Sequence, residues 1–139
     1  TENAFKVIGQ KPILGRDFLP EDTKPGASPV AIIGHGIWKN RYGADPNVLG
    51  RVIRINEVAT TVIGVMAEDF KFPLSNDLWM PMVATPQLEQ RDNRSIDGYG
   101  KLKKDATLVQ ATTELQTINE RLAKEYPKTN KSFDVRAQP

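Results

Sequence analysis

The chain has 139 residues, 39% hydrophobic and 26% charged, with 19 Lys and Arg against 17 Asp and Glu. That composition fits a globular polypeptide able to bury a core without crosslinks, and the absence of cysteine excludes disulfides and thiolate metal sites. The net charge of +2 is spread along the chain; its one dense basic cluster, Lys101, Lys103 and Lys104, runs straight into Asp105, which argues against a nucleic-acid partner.

Asn3 to Ile8 can form a short helix with Phe5 and Ile8 on one side, ended by Gly9. Pro12 to Phe18 reads as a loop around Gly15-Arg16, and Pro20 to Ser28, rich in Pro, Gly and acidic residues, as a surface loop. Val30 to Ile33 is a continuous apolar run bounded by Pro29 and Gly34, the pattern of a buried strand. His35 to Tyr42 follows as a helix anchored by Ile37, Trp38 and Tyr42, with Gly43 placed to end it in the left-handed conformation.

Asp45-Pro46-Asn47 starts a turn, after which Arg51 to Ile55 and Thr60 to Met66 read as the two strands of a hairpin. Side-chain alternation directs Arg51, Ile53 and Ile55 to one face and Val52 and Arg54 to the other. Leu78 to Val83 reads as a strand that Pro81 confines to an edge or a bulge. The polar stretch 86–96 reads as a linker and the boundary between two lobes.

Beyond it, Gly98 to Lys103 and Ser132 to Ala137 are strand-like and flank a helix. Thr107 and Gln110 form a capping box at its start, and Leu108, Ala111, Leu115, Ile118 and Leu122 make one apolar stripe along it. Pro127 ends it. The order β-α-β favours parallel strands in one sheet. The fold class expected is therefore α+β.

No catalytic, cofactor-binding or metal site emerges. Gly34-His35-Gly36 after a strand is the beginning of a dinucleotide fingerprint, but Lys39 stands where its third small residue is needed. His35 is the single histidine and cannot build a histidine-rich metal site, so a helix-capping or surface role is expected. Asp17, Glu21 and Asp22 lack the alternating oxygen ligands of a calcium loop, and adjacent Glu68 and Asp69 point apart in an extended chain. Trp38, Trp79, Phe70 and Phe72 are candidates for core packing. Phe70, Phe72 and Trp79, close to Pro and loop residues, are also the candidate partner-contact residues.

Several stretches in fixed order resemble a known family: Phe5-Lys6-Val7-Ile8-Gly9, Leu14-Gly15-Arg16-Asp17-Phe18, Pro29 to Ile33 followed by Trp38 and Tyr42-Gly43, Asp45-Pro46, Leu49-Gly50, Thr61 to Met66, and Leu78-Trp79-Met80-Pro81. Together with Gly100 to Lys103 and the helix after it, this set resembles the MacB-like periplasmic core domain of ABC transporter permeases of the FtsX/MacB type. The family often has Gly after the hairpin Asn; here Glu57 stands there, which leads us to expect a turn longer than two residues.

The resemblance implies a β-rich, Sabre-like lobe over residues 1–96 and the second segment of a porter-like β-α-β lobe over residues 97–139. It implies an extracytoplasmic, non-catalytic domain in the bacterial cell envelope, the periplasmic part of a cytoplasmic-membrane protein. Such a domain, with no cofactor of its own, relays conformational change or contacts partner proteins during export. The partners implied are the rest of the permease with its transmembrane helices, a cytoplasmic ATPase subunit or domain, and a periplasmic adaptor protein. No Gly-x-x-x-x-Gly-Lys-Ser/Thr loop is present, so ATP hydrolysis is assigned elsewhere. The chain begins at Thr1 rather than Met and is read as a piece of a longer protein, with self-association expected through residues 97–139. The alternative is a stand-alone small-molecule or glycan-binding module that uses the loop aromatics.

Overall fold

The computed structural model describes residues 2–75 and 77–138. It divides into two compact units, Thr1–Thr85 and Pro86–Pro139. The linker-like stretch 86–96 falls within the second.

The first unit is organised by β4 (Val58–Val65), the longest strand. It pairs antiparallel with β3 (Val52–Ile55) and β1 (Leu14–Gly15), and parallel with β2 (Val30–Ile33), which in turn pairs antiparallel with β5 (Leu78–Trp79). Helix α1 (Ala4–Ile8) precedes β1, and α2 (His35–Tyr42) joins β2 to the hairpin, ending as expected at Gly43 with φ 61°.

Two clusters of side chains fill the unit. One holds Phe5, Phe18, Val30, Ile32, Met66 and Trp79; the other holds Ile33, Val48, Val62 and Val65, with Ile37, Trp38, Tyr42 and Ile53 packed on them. Successive residues of β2 thus feed opposite clusters, as the pleat requires. Val62 and Val65 are three apart and still share a cluster. A register shift makes this possible: Ala31 faces Val62 and Ile32 faces Gly64, so Ile63 is an extra residue in β4.

The glycines at Gly15 and Gly64 allow two backbones to meet. They are cross-strand partners. A Cβ on Gly15 would lie 2.2 Å from the Ile63 carbonyl oxygen, and one on Gly64 would lie 2.7 Å from that of Arg16. No larger residue fits either position.

Three local expectations are corrected. The loop 12–18 contains β1, a two-residue strand defined only by its pairing with Gly64 and Val65. The strand expected from Leu78 to Val83 ends at Trp79, ahead of Pro81. The hairpin turn has two residues after all: Ile55 pairs with Val58, and Asn56 and Glu57 both take positive φ, 47° and 67°. This is the primed turn whose twist matches that of the strands. The strand pairing holds Glu57 in a conformation that it does not itself favour.

The second unit is built on α3 (Leu108–Glu125), followed by α4 (Pro127–Asn130), which packs on it. The capping box is present: the Gln110 amide donates to Thr107 Oγ1 at 3.2 Å, and the Thr107 amide donates to Gln110 Oε1 at 2.8 Å. The strands expected at 98–103 and 132–137 are not strands in the structure. Their alternating sequence is compatible with a strand, but a strand needs a neighbour with which to pair. Within this unit, two arginines do the tying instead. Arg91 lies 3.5 Å over the Tyr126 ring, and Arg94 lies 4.2 Å over that of Phe133 and donates to the Thr129 carbonyl.

Candidate functional site

Two of the aromatic residues singled out in the sequence, Phe70 and Trp79, come together on Phe5 in one cluster, while Trp38 packs on the other. Phe5 meets Trp79 edge-on at 5.8 Å and Phe70 at 5.7 Å, and Phe70 lies 5.2 Å from Trp79. Trp79 is 9% exposed, and its indole N–H donates to the Phe72 carbonyl at 2.7 Å. Phe70 and Phe72 are half-buried. The indole thus satisfies its one donor internally, and its ring has little surface to offer a partner.

The acidic loop is also structural. Asp22 is buried and accepts two bonds from the Arg16 guanidinium, at 2.6 and 3.0 Å, and one from the Leu19 amide at 2.8 Å. These donors, Arg16 first, hold the Asp22 carboxyl below the usual carboxylate range, and the pairing raises the Arg16 guanidinium in turn. The carboxylate closes the short 3-10 turn Pro20–Thr23. His35 sits at the start of α2, 3.7 Å from Glu68 and edge-on to Trp38. Lys71 pairs with Asp77 close by. Among the described residues no group of His, Asp or Glu is arranged to hold a metal ion.

What remains is a surface feature that the sequence did not announce. A groove of about 660 Å³ runs between α2 and β3. Ile33, Ile37, Ile53, Ile55 and Leu78 line it as apolar floor, and Arg41, Arg51 and Arg54 bring three guanidinium groups to it. Its lining contains no Asp or Glu. Arg51 lies 5.1 Å over the Tyr42 ring. The ion pairs found among the described residues are Arg16–Asp22, His35–Glu68 and Lys71–Asp77, so none of the three groove arginines has a carboxylate partner there. A second, smaller cleft of about 230 Å³ lies by the hairpin tip, lined by Pro29, Val30, Val58, Met80, Pro81 and Val83 among others.

The arginines are 10 and 3 residues apart in sequence and converge only through the α2–β3 connection. The signal available beforehand was weak: Arg51 and Arg54 alternate with apolar residues on a strand whose two faces were both mixed.

The first unit is thus a sheet-centred α+β scaffold that carries a cationic groove with an apolar floor. A model of the MacB-like periplasmic core domain family matches residues 1–118, and the chain belongs to that family. It is 35% identical over 83 residues to the macrolide export ATP-binding/permease protein MacB of Burkholderia thailandensis, a match covering 58% of this chain and 13% of that protein. Its fold is similar to the crystal structure of the periplasmic region of MacB from Actinobacillus actinomycetemcomitans, with a TM-score of 0.58 and 24% identity over 93% of this chain and 56% of that one. The chain is thus a MacB-like periplasmic core domain. It spans only a small part of the curated relative's length. No helix among the described residues is long and apolar enough to cross a membrane.

Proposed function

We propose that this domain serves a permease as a relay and docking element: it contacts partner proteins outside the cytoplasmic membrane and passes movement between them and the membrane part. The observation that carries this reading is the family match over residues 1–118. The surface supports it, because apolar and cationic side chains are presented on a rigid sheet rather than gathered round a reactive centre. On this reading the domain needs no cofactor, and ATP is hydrolysed by a cytoplasmic subunit or domain. Export, the activity named for the Burkholderia protein, is proposed for the whole protein to which this domain belongs.

Residues 1–85 take the place of the β-rich, Sabre-like lobe on this reading, and the second unit contributes to a porter-like lobe. The periplasmic adaptor and self-association through 97–139 belong to the same proposal. The stand-alone binding module is not favoured, since it depends on accessible loop aromatics and Trp79 is in the core.

The test uses the intact permease. A photo-reactive side chain at exposed Met80 or Met82, outside the groove, is expected to capture a second polypeptide, with a yield that changes between nucleotide-free and ATP-bound states. Export that is unaffected by deleting residues 1–85, together with no nucleotide-dependent capture, contradicts the reading.

A further inference from the structure

We propose that the groove between α2 and β3 receives an acidic, extended segment of a partner polypeptide, which adds as a strand to the free edge of β3. The proposal rests on the partner-contact reading above and makes it specific: it names a place, a binding mode and a charge.

Three observations lead to it. The first is hydrogen bonding. In the two-residue hairpin Ile55 pairs with Val58 and Ile53 with Thr60. Antiparallel ladders alternate, so the N–H and C=O groups of Val52 and Arg54 face away from β4. Among the described residues no strand pairs with β3 on that side. Val52 is 61% exposed. These are two residues' worth of donors and acceptors along an edge that accepts a strand.

The second is where the groove runs. It is lined by every residue from Arg51 to Asn56. Successive residues of a strand point to opposite faces. A cavity touched by all of them reaches the backbone of the strand as well as one of its faces. A chain paired with β3 has Ile53 and Ile55, the near part of the floor, beside its side chains, while Ile33 and Leu78, on β2 and β5 beyond β4, line the far end of the groove.

The third is charge. Arg41, Arg51 and Arg54 come from a helix and a strand and flank one depression, and its lining carries no carboxylate. Guanidinium groups held in this way match carboxylates in geometry and charge. The occupant is therefore acidic at positions beside the arginines and apolar at those over the floor. A flat anionic membrane surface fits less well, because the apolar residues lie in the floor of a concave groove and do not project from a rim.

The experiment uses the 139-residue chain and a capped eight-residue peptide, with glutamate at both ends and valine and glutamate alternating between. Binding is read by NMR shifts and by exchange of the Val52 and Arg54 amides. Shifts confined to residues 51–56 and α2, slowed exchange at those two amides, and affinity that falls as salt rises are expected. Replacing every glutamate of the peptide by glutamine, or reversing charge with Arg41→Glu and Arg54→Glu together, is expected to weaken binding about tenfold or more. Circular dichroism checks that the variant is folded; if it is not, Arg54→Ala alone replaces it. N-methylation of the peptide amides on its pairing edge is expected to abolish binding.

Equal binding by the glutamine or N-methylated peptide overturns the proposal. So does absence of binding by the folded chain, or binding to phosphatidylglycerol vesicles at these arginines in place of the peptide. None of these results touches capture at Met80 or Met82 in the intact permease, so the wider reading stands or falls separately.

Discussion

The two units of this chain solve the problem of burial differently. In the first, a small sheet brings residues from five strands and two helices together, and Ile32, Ile33, Val62, Val65 and Met66 are excluded from water. In the second, one long helix carries a regular stripe, yet Leu108, Leu115 and Ile118 remain 36–38% exposed, and no strand is formed among the described residues. The contrast teaches that amphipathic periodicity makes a helix but does not by itself make a core. Non-local pairing made the core in the first unit, and the second has little of it.

The largest effect should come from breaking the first unit's core. Ile32→Ala, at a fully buried position, is expected to cost about 2–5 kcal/mol. Leu115→Ala, on the half-covered stripe, should cost about 1 kcal/mol or less. Trp38 and Trp79 both lie in the first unit, so tryptophan fluorescence in denaturant follows that unit, while helical circular dichroism reports largely on α3. Equal losses for the two variants would erase the distinction.

A smaller effect is expected at Asp22. Its carboxyl pKa is depressed in the folded chain, first by Arg16. A depressed folded value stabilises fully above the unfolded value of about 3.9 and is lost as pH falls through the folded one. Asp22→Asn should therefore cost about 1–2 kcal/mol at pH 7, since it weakens both the bond to Arg16 and the closure of the turn. The gap between the two proteins should narrow below about pH 4. Thermal unfolding from pH 3 to 7 checks this; a gap that widens toward acid would mean the sign is wrong.

The smallest effect is at the hairpin. Glu57 is held at a φ of 67°. Glu57→Gly relieves that strain and gives back part of it through the freer unfolded chain, for a net gain of about 0.5 kcal/mol. A loss of stability on chemical denaturation would show that the Glu57 side chain contributes something that the turn geometry does not reveal.

The parts of this structure that could be read from sequence are those fixed by neighbours a few residues away. Val30–Ile33, α2 with its stop at Gly43, and the Thr107–Gln110 capping box depend on local periodicity and caps, and they stand where expected. The rest depends on distant partners. β1 exists only because Gly15 meets Gly64. The two-residue turn is imposed on Glu57 by the pairing of Val52–Ile55 with Val58–Thr61. The stretches 98–103 and 132–137 have strand-like sequences and no neighbour that makes them strands. Core packing could be read for Trp79 and Phe70, but not that both would pack on Phe5. The groove was least legible of all, because Arg41, Arg51 and Arg54 have nothing in common until the chain is folded.

Native-state hydrogen exchange tests the contrast between the units most directly. The amides of Ile32, Ile33, Val62 and Val65 should exchange only through global opening of the first unit, while those in the middle of α3, around Leu115 and Ile118, should exchange through openings that cost markedly less free energy. Protection in α3 equal to that of β2 and β4 would contradict the account, because it would mean that the second unit has a core as complete as the first.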